Sequence, residues 1–71
     1  MTLRDTLLHK TAVDSYVKIY DAEWLVAMCY IDDEDLFIRY MDDELLSREV
    51  DVITIVEDKD FTTDIYDIYL R

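Results

Sequence analysis

The chain contains no glycine, proline, asparagine or glutamine. Average usage would supply ~5 Gly and ~4 Pro in a chain of this length, so the gap carries physical meaning. Without glycine, the phosphate cradles of P-loop and dinucleotide type are excluded. Hairpin turns of the Asn-Gly kind are excluded as well. Turns fall to Asp, Ser, Thr and Lys, with Asp expected at positions of positive φ. A single cysteine, Cys29, makes an intramolecular disulfide impossible and fits a reducing compartment. It lies in an apolar run and reads as a buried, inert thiol. No apolar run approaches the ~20 residues of a membrane span. Arg4, Asp5, His9 and Lys10 interrupt the N-terminal segment, which therefore reads as lacking a signal-peptide core.

Positive charge is the other scarcity. Seven Lys and Arg stand against 18 Asp and Glu, for a formal net charge of −11. That balance disfavours direct binding to nucleic acid or an anionic membrane, because each phosphate contact adds repulsion. A basic protein surface or a cation remains. Disorder is argued against by 52% hydrophobic and 13% aromatic residues. The 71 residues make one small domain, 1–71. A chain of this size buries only ~60% of its unfolded surface, so it sits near the stability threshold, either as a marginal lone fold or as one completed by a partner.

The coarse pattern predicts the order α-β-β-α-β-β. Thr2 to Lys10 reads as a helix capped by Thr2, with Leu3, Leu7 and Leu8 on one face. Ser15 to Tyr20 alternates, with Val17 and Ile19 opposite Tyr16, Lys18 and Tyr20. Trp24 to Ile31 is apolar on both faces, with Trp24, Val26, Met28 and Tyr30 on one and Leu25, Ala27, Cys29 and Ile31 on the other. A helix is expected from about Asp33 to Met41, with Asp42 to Leu46 its continuation or a second turn. Glu49 to Glu57 and Asp64 to Leu70 read as the last two strands, with Asp58-Lys59-Asp60 the turn between them. The expected fold is a two-layer α+β domain, an antiparallel four-stranded sheet with one or two short helices.

Material for catalysis is thin. His9 is the only histidine, and Ser15 and Ser47 are the only serines. None sits in a nucleophile motif, so no catalytic residue is assigned. Asp58-x-Asp60-x-Thr62-x-Asp64 echoes a calcium loop but carries Thr63 where Gly belongs and Tyr69 where a bidentate Glu belongs. One His and one Cys make a poor zinc set. No metal or cofactor is expected.

The distribution of charge says more. Asp32, Asp33, Glu34, Asp35, Asp42, Asp43, Glu44, Glu49 and Asp51 face only Arg39 and Arg48 over the same stretch. Same-face residues on a strand repeat at roughly 7 Å. Phosphates along one DNA strand have a comparable spacing. Such carboxylates can occupy arginines and lysines that otherwise hold phosphates or read bases. A solvated shell that keeps the chain from aggregating is the alternative. Six Tyr, Trp24 and two Phe are many for a thin core; they read as cross-strand packing within the sheet or, since tyrosine is enriched at interfaces, as a dimer or partner face.

Four segments carry a resemblance: Met1-Thr2-Leu3-Arg4-Asp5, Val17-Lys18-Ile19-Tyr20-Asp21, Asp43-Glu44-Leu45-Leu46-Ser47-Arg48-Glu49-Val50 and Ile68-Tyr69-Leu70. Together they resemble small acidic proteins of phages and mobile elements of Gram-positive bacteria. Some such proteins are anti-CRISPR inhibitors that keep a Cas nuclease from DNA. The resemblance implies a non-enzymatic DNA mimic in the bacterial cytoplasm. It would block the DNA- or PAM-reading surface of a defence nuclease, with Cas9 the first expectation because arginines read its PAM. The acidic residues from Asp32 to Asp51 would form the contact, with Tyr40 as an anchor. A regulatory or structural module, homodimeric through its aromatic strand faces, is the second expectation.

Overall fold

The computed structural model describes residues 1–32, 36–39, 41–56 and 64–71. The elements are α1 (Leu3–His9), β1 (Tyr16–Asp21), β2 (Trp24–Tyr30), α2 (Leu36–Arg39), α3 (Asp43–Leu46), β3 (Val50–Val56) and β4 (Ile65–Leu70). The fold is α+β. Asp42 to Leu46 forms a second short helix rather than extending the first. The Asp58-Lys59-Asp60 turn and the calcium-loop-like run lie outside the described residues, apart from Asp64.

The sheet corrects one expectation. Its strand order is β2-β1-β4-β3, and it is mixed rather than antiparallel. Both hairpins are antiparallel, as their short connections require. They join through β1 and β4, which run parallel, with Tyr16 beside Ile65 and Asp21 beside Leu70. The first strand of one hairpin thus pairs with the last strand of the other, across nearly the whole chain.

Alternation on the central strands decides the core. Val17 and Ile19 of β1 and Tyr66, Ile68 and Leu70 of β4 are all 6% exposed or less. They share one buried cluster with Ile31 and with the helical residues Leu3, Leu7 and Leu46. At ~1.5–3 kcal/mol for each fully buried large aliphatic side chain, this cluster dominates the stability of so small a domain.

Local chemistry fixes the helices. Thr2 caps α1, accepting at Oγ1 from the Asp5 N–H at 3.3 Å. Leu3 and Leu7 are buried as expected, but Leu8 is exposed and Thr6 occupies the inward position. The Thr6 hydroxyl can be buried because it donates to the Thr2 carbonyl at 3.0 Å. Asp42 caps α3 by accepting from the Glu44 N–H at 2.9 Å. The N-terminal segment then runs beside the start of β3. Leu3 N–H donates to Arg48 O, and Val50 N–H to Met1 O.

Among the described residues, Asp14 at 67° and Ala22 at 56° adopt positive φ. The first follows the rule that Asp takes such positions. The second places a Cβ where glycine is favoured, at a cost of about 1–2 kcal/mol. A bulge next to it shifts the β1–β2 register, so Tyr20 pairs with Leu25 while Ile19 pairs with Ala27. The expected faces of β2 change accordingly. Leu25 joins the face of Met28 and Tyr30, and Trp24 joins that of Ala27 and Cys29.

Candidate functional site

The expected acidic site is dispersed. Asp33, Glu34, Asp35 and Tyr40 lie outside the described residues. Asp32 follows β2, at the sheet end where β1 and β4 begin. Glu49 and Asp51 sit at the other end, beside the close of β4, since Val50 pairs with Leu70. Five strand residues separate those ends, about 17 Å at strand rise. Asp42, Asp43 and Glu44 belong to α3, next to α1.

Several of these carboxylates have local partners. Asp43 meets the Arg4 guanidinium at 3.0 Å. The Glu49 carboxylate lies 2.8 Å from the Met1 amino nitrogen, and the Glu49 backbone forms an isolated β-bridge with Thr2. Asp42 is spent in part on its cap. Arg48 donates from both terminal nitrogens to Asp21, at 3.2 and 3.3 Å, and also to the Arg71 carbonyl. Asp21 and Glu44 hold the guanidinium charged, raising its pKa further, and the Asp21 bonds are the larger cause. A shallow cleft of about 370 Å³ lies between α1 and α3, lined by Thr2, Arg4, Asp43, Leu46 and Ser47. The Arg4–Asp43 pair lines it.

Residues considered for nucleophilic chemistry are occupied structurally. Ser15 is buried, and its hydroxyl donates to the Ala12 carbonyl. The Ser47 hydroxyl donates to the Glu44 carbonyl at 2.9 Å. Cys29 is half-buried beside the core rather than fully enclosed, and burial pushes its thiol up to about 11. Among the described residues no group of His, Cys, Asp and Glu is placed to hold a metal ion. Nor is any helix among them long and apolar enough to cross a membrane.

A more continuous surface lies on the sheet face away from the buried cluster. The registers place three rows across all four strands. One reads Tyr30, Tyr16, Ile65, Val56; the next Met28, Lys18, Asp67, Thr54; the third Leu25, Tyr20, Tyr69, Val52. Tyr16, Tyr30, Met28 and Val52 are 44%, 41%, 60% and 49% exposed. Tyr20 stacks on Tyr69 with centroids 5.1 Å apart, and Tyr16 meets Tyr30 edge-on at the same separation. The Tyr30 hydroxyl donates to Asp14 Oδ1 at 2.6 Å. That bond, with smaller contributions from desolvation and neighbouring charge, raises the phenol to about 12.

Lys18 and Asp67 are the only charged residues in the three rows. Asp67 Oδ1 is enclosed and has no hydrogen-bond partner among the described residues. The alternation of β1 and the excess of tyrosine signalled this face in the sequence. Its extent did not show there, because it depends on the parallel pairing of β1 with β4.

No family model matches the chain, and no curated protein or solved structure matches it either.

Proposed function

We propose that this protein is a non-enzymatic interaction module of two layers that docks through the uncovered face of its sheet. One observation carries the reading: the alternate residues of β1 and β4 that do not enter the core form, with β2 and β3, a tyrosine-rich surface in which two apolar rows flank a central row of Met28, Lys18, Asp67 and Thr54. A sheet with one face in water usually shows polar residues there, whereas this face of β1 and β4 carries Tyr16, Tyr20, Ile65 and Tyr69. The smallest principal extent of the chain trace is 17 Å, which accommodates a sheet and one helical layer. Tyrosine suits the role because its ring gains from burial while its hydroxyl tolerates water.

The test is dye binding to protein that sediments as a monomer. Nile red should bind the wild type. Met28→Lys and Val52→Lys should lose that binding while keeping the far-ultraviolet circular dichroism spectrum. Binding untouched by both substitutions would count against the face.

A second reading is inhibition of a DNA-binding defence nuclease by charge mimicry. Its support is the exposure of Asp42, Asp43, Glu44, Glu49 and Asp51 on a chain of net charge −11. Target-DNA binding by a guide-loaded Cas9 should be blocked, and the block should fade as salt rises. Reversing the charge at Asp42, Asp43 and Glu44 together should abolish it. Inhibition that survives this triple reversal would remove these residues from the contact.

A further inference from the structure

We infer that the occupant of the uncovered sheet face is a second copy of this chain, packed face to face about a two-fold axis. The inference rests on the docking reading above and names its partner. Three observations lead to it: the pattern of charge, the register and the size of the face.

Charge comes first. The chain carries −11 overall, yet these three rows hold one cation and one anion, Lys18 and Asp67. A basic partner would be drawn to the carboxylates elsewhere, and an anionic one would be repelled by the whole molecule. A neutral, apolar face on a strongly charged body is where a like-charged copy can approach at least cost.

The register makes that face self-complementary. Lys18 and Asp67 are level neighbours on parallel strands. Rotation by half a turn about an axis parallel to these strands, midway between them in the plane of contact, exchanges their positions. Lys18 of each copy then lies over Asp67 of the other. The same rotation sets Tyr20 over Tyr69 and Tyr16 over Ile65. It also sets Met28 over Thr54, Leu25 over Val52 and Tyr30 over Val56. Strands of the two copies stay nearly aligned, as in ordinary sheet-on-sheet packing at ~10 Å. An isologous interface needs this reciprocity. It also gives the Asp67 carboxylate, one of whose oxygens lacks a partner among the described residues, a cation in reach after a turn about its last torsion.

Size is sufficient. With ~200 Å² for an aromatic side chain and less for the aliphatic ones, the exposures of Tyr16, Tyr30, Met28, Leu25, Val52 and Val56 alone give about 500 Å², and the half-buried residues between them add to it. A standard stable interface uses ~800 Å² per partner.

The test is sedimentation of the full chain across concentration and salt, with charge-swapped variants. Wild type should dimerise, and more tightly at high salt, because screening relieves repulsion between the two acidic bodies. Lys18→Glu and Asp67→Lys should each weaken self-association about tenfold or more, because each removes both symmetry-related charge pairs and sets like charges against one another. An equimolar mixture of the two variants should recover a heterodimer. Neither a misfolded variant nor a contact within one chain would give that recovery. Met28→Lys, on an exposed position, should also yield a monomer with an unchanged circular dichroism spectrum.

A dimer that persists in Met28→Lys, or a mixture that fails to pair, would overturn the inference. A chain that stays monomeric at every salt yet binds Nile red through Met28 and Val52 would overturn the second copy alone. A monomer whose dye binding ignores those residues would overturn the sheet-face reading as well.

Discussion

The two faces of β1 and β4 come from alternate residues of the same two strands and have opposite surroundings. Val17, Ile19, Tyr66, Ile68 and Leu70 meet leucines from α1 and α3 and leave water almost entirely. Tyr16, Lys18, Tyr20, Ile65, Asp67 and Tyr69 point the other way and retain contact with it. The difference lies in residue type as much as position. The covered face is mostly branched aliphatic, whose burial needs no hydrogen bond. The uncovered face is three tyrosines with one Lys, one Asp and Ile65, and all but the last bring a polar end with them. A strand pair of this kind keeps its first layer by packing and leaves the polar ends of its second face in reach of water.

The largest expected effect tests that contrast directly. Ile68→Ala removes a fully buried side chain from the middle of β4. It should cost about 3 kcal/mol, a large part of the stability of a small domain. Val52→Ala on the uncovered face should cost no more than about 0.5 kcal/mol in the dilute monomer. Urea midpoints at constant m-value would show both. Equal losses at the two positions would erase the distinction between the faces.

Chemistry at Cys29 gives the next contrast, since it lies on the core side of β2, paired with Val17. Burial raises its thiol from 9.0 to about 11, so the neutral form prevails near neutral pH. The expected outcome is alkylation at pH 8 slower than for a free cysteine by about 10–100-fold, following thiolate fraction. The sign for stability follows from the raised value. The contribution is complete below pH 9 and is lost as pH rises through 11. Cys29→Ala should flatten stability over that window. Alkylation at the rate of an exposed thiol would place Cys29 with the uncovered residues instead.

Much of this arrangement was legible in the sequence. The alternation of Val17 and Ile19 against Tyr16, Lys18 and Tyr20 marked β1 as a half-buried strand, because its period is two. Thr2 and Leu7 marked α1 in the same way. Three features were hidden. The pairing of β1 with β4 is set by contact between segments ~50 residues apart, which no local pattern encodes. The bulge that turns Leu25 outward follows from a turn with Ala22 at positive φ, where the residue type gives no signal. Thr6 displaced Leu8 from the core because its hydroxyl bonds the preceding turn. The acidic residues were legible as a charge but not as a place. Runs of Asp and Glu specify no fold, and those described end on α3 and at opposite ends of the sheet.

Smaller effects sharpen the comparison at its margins. Ala22→Gly should stabilise the domain by about 0.5–1 kcal/mol, relieving the left-handed strain while loosening the unfolded chain. Thermal melting would register it. A loss of stability would mean that the Ala22 methyl contributes packing that outweighs the strain, and that the hairpin rather than the core sets the β2 register.

The smallest effect concerns the polar end of an uncovered tyrosine. Tyr30 donates to Asp14, and the bond holds the phenol protonated up to about 12, against 10.0 ordinarily. Tyr16 shows the face without such a bond: its ring meets Tyr30 edge-on. In an ultraviolet titration, one tyrosine should ionise last, and Tyr30→Phe should remove that late step. Asp14→Ala should move the same step down toward 10, because the acceptor is then gone. The sign for folding is that of any raised group: the stabilising contribution is whole below pH 10 and fades as pH climbs toward 12. At neutral pH the contribution is whole, so Asp14→Ala should lower stability there, and its difference from the wild type should close as pH climbs toward 12. A late step that persists in Tyr30→Phe would assign it to another tyrosine. The Tyr30–Asp14 bond would then not be what anchors this end of the uncovered face.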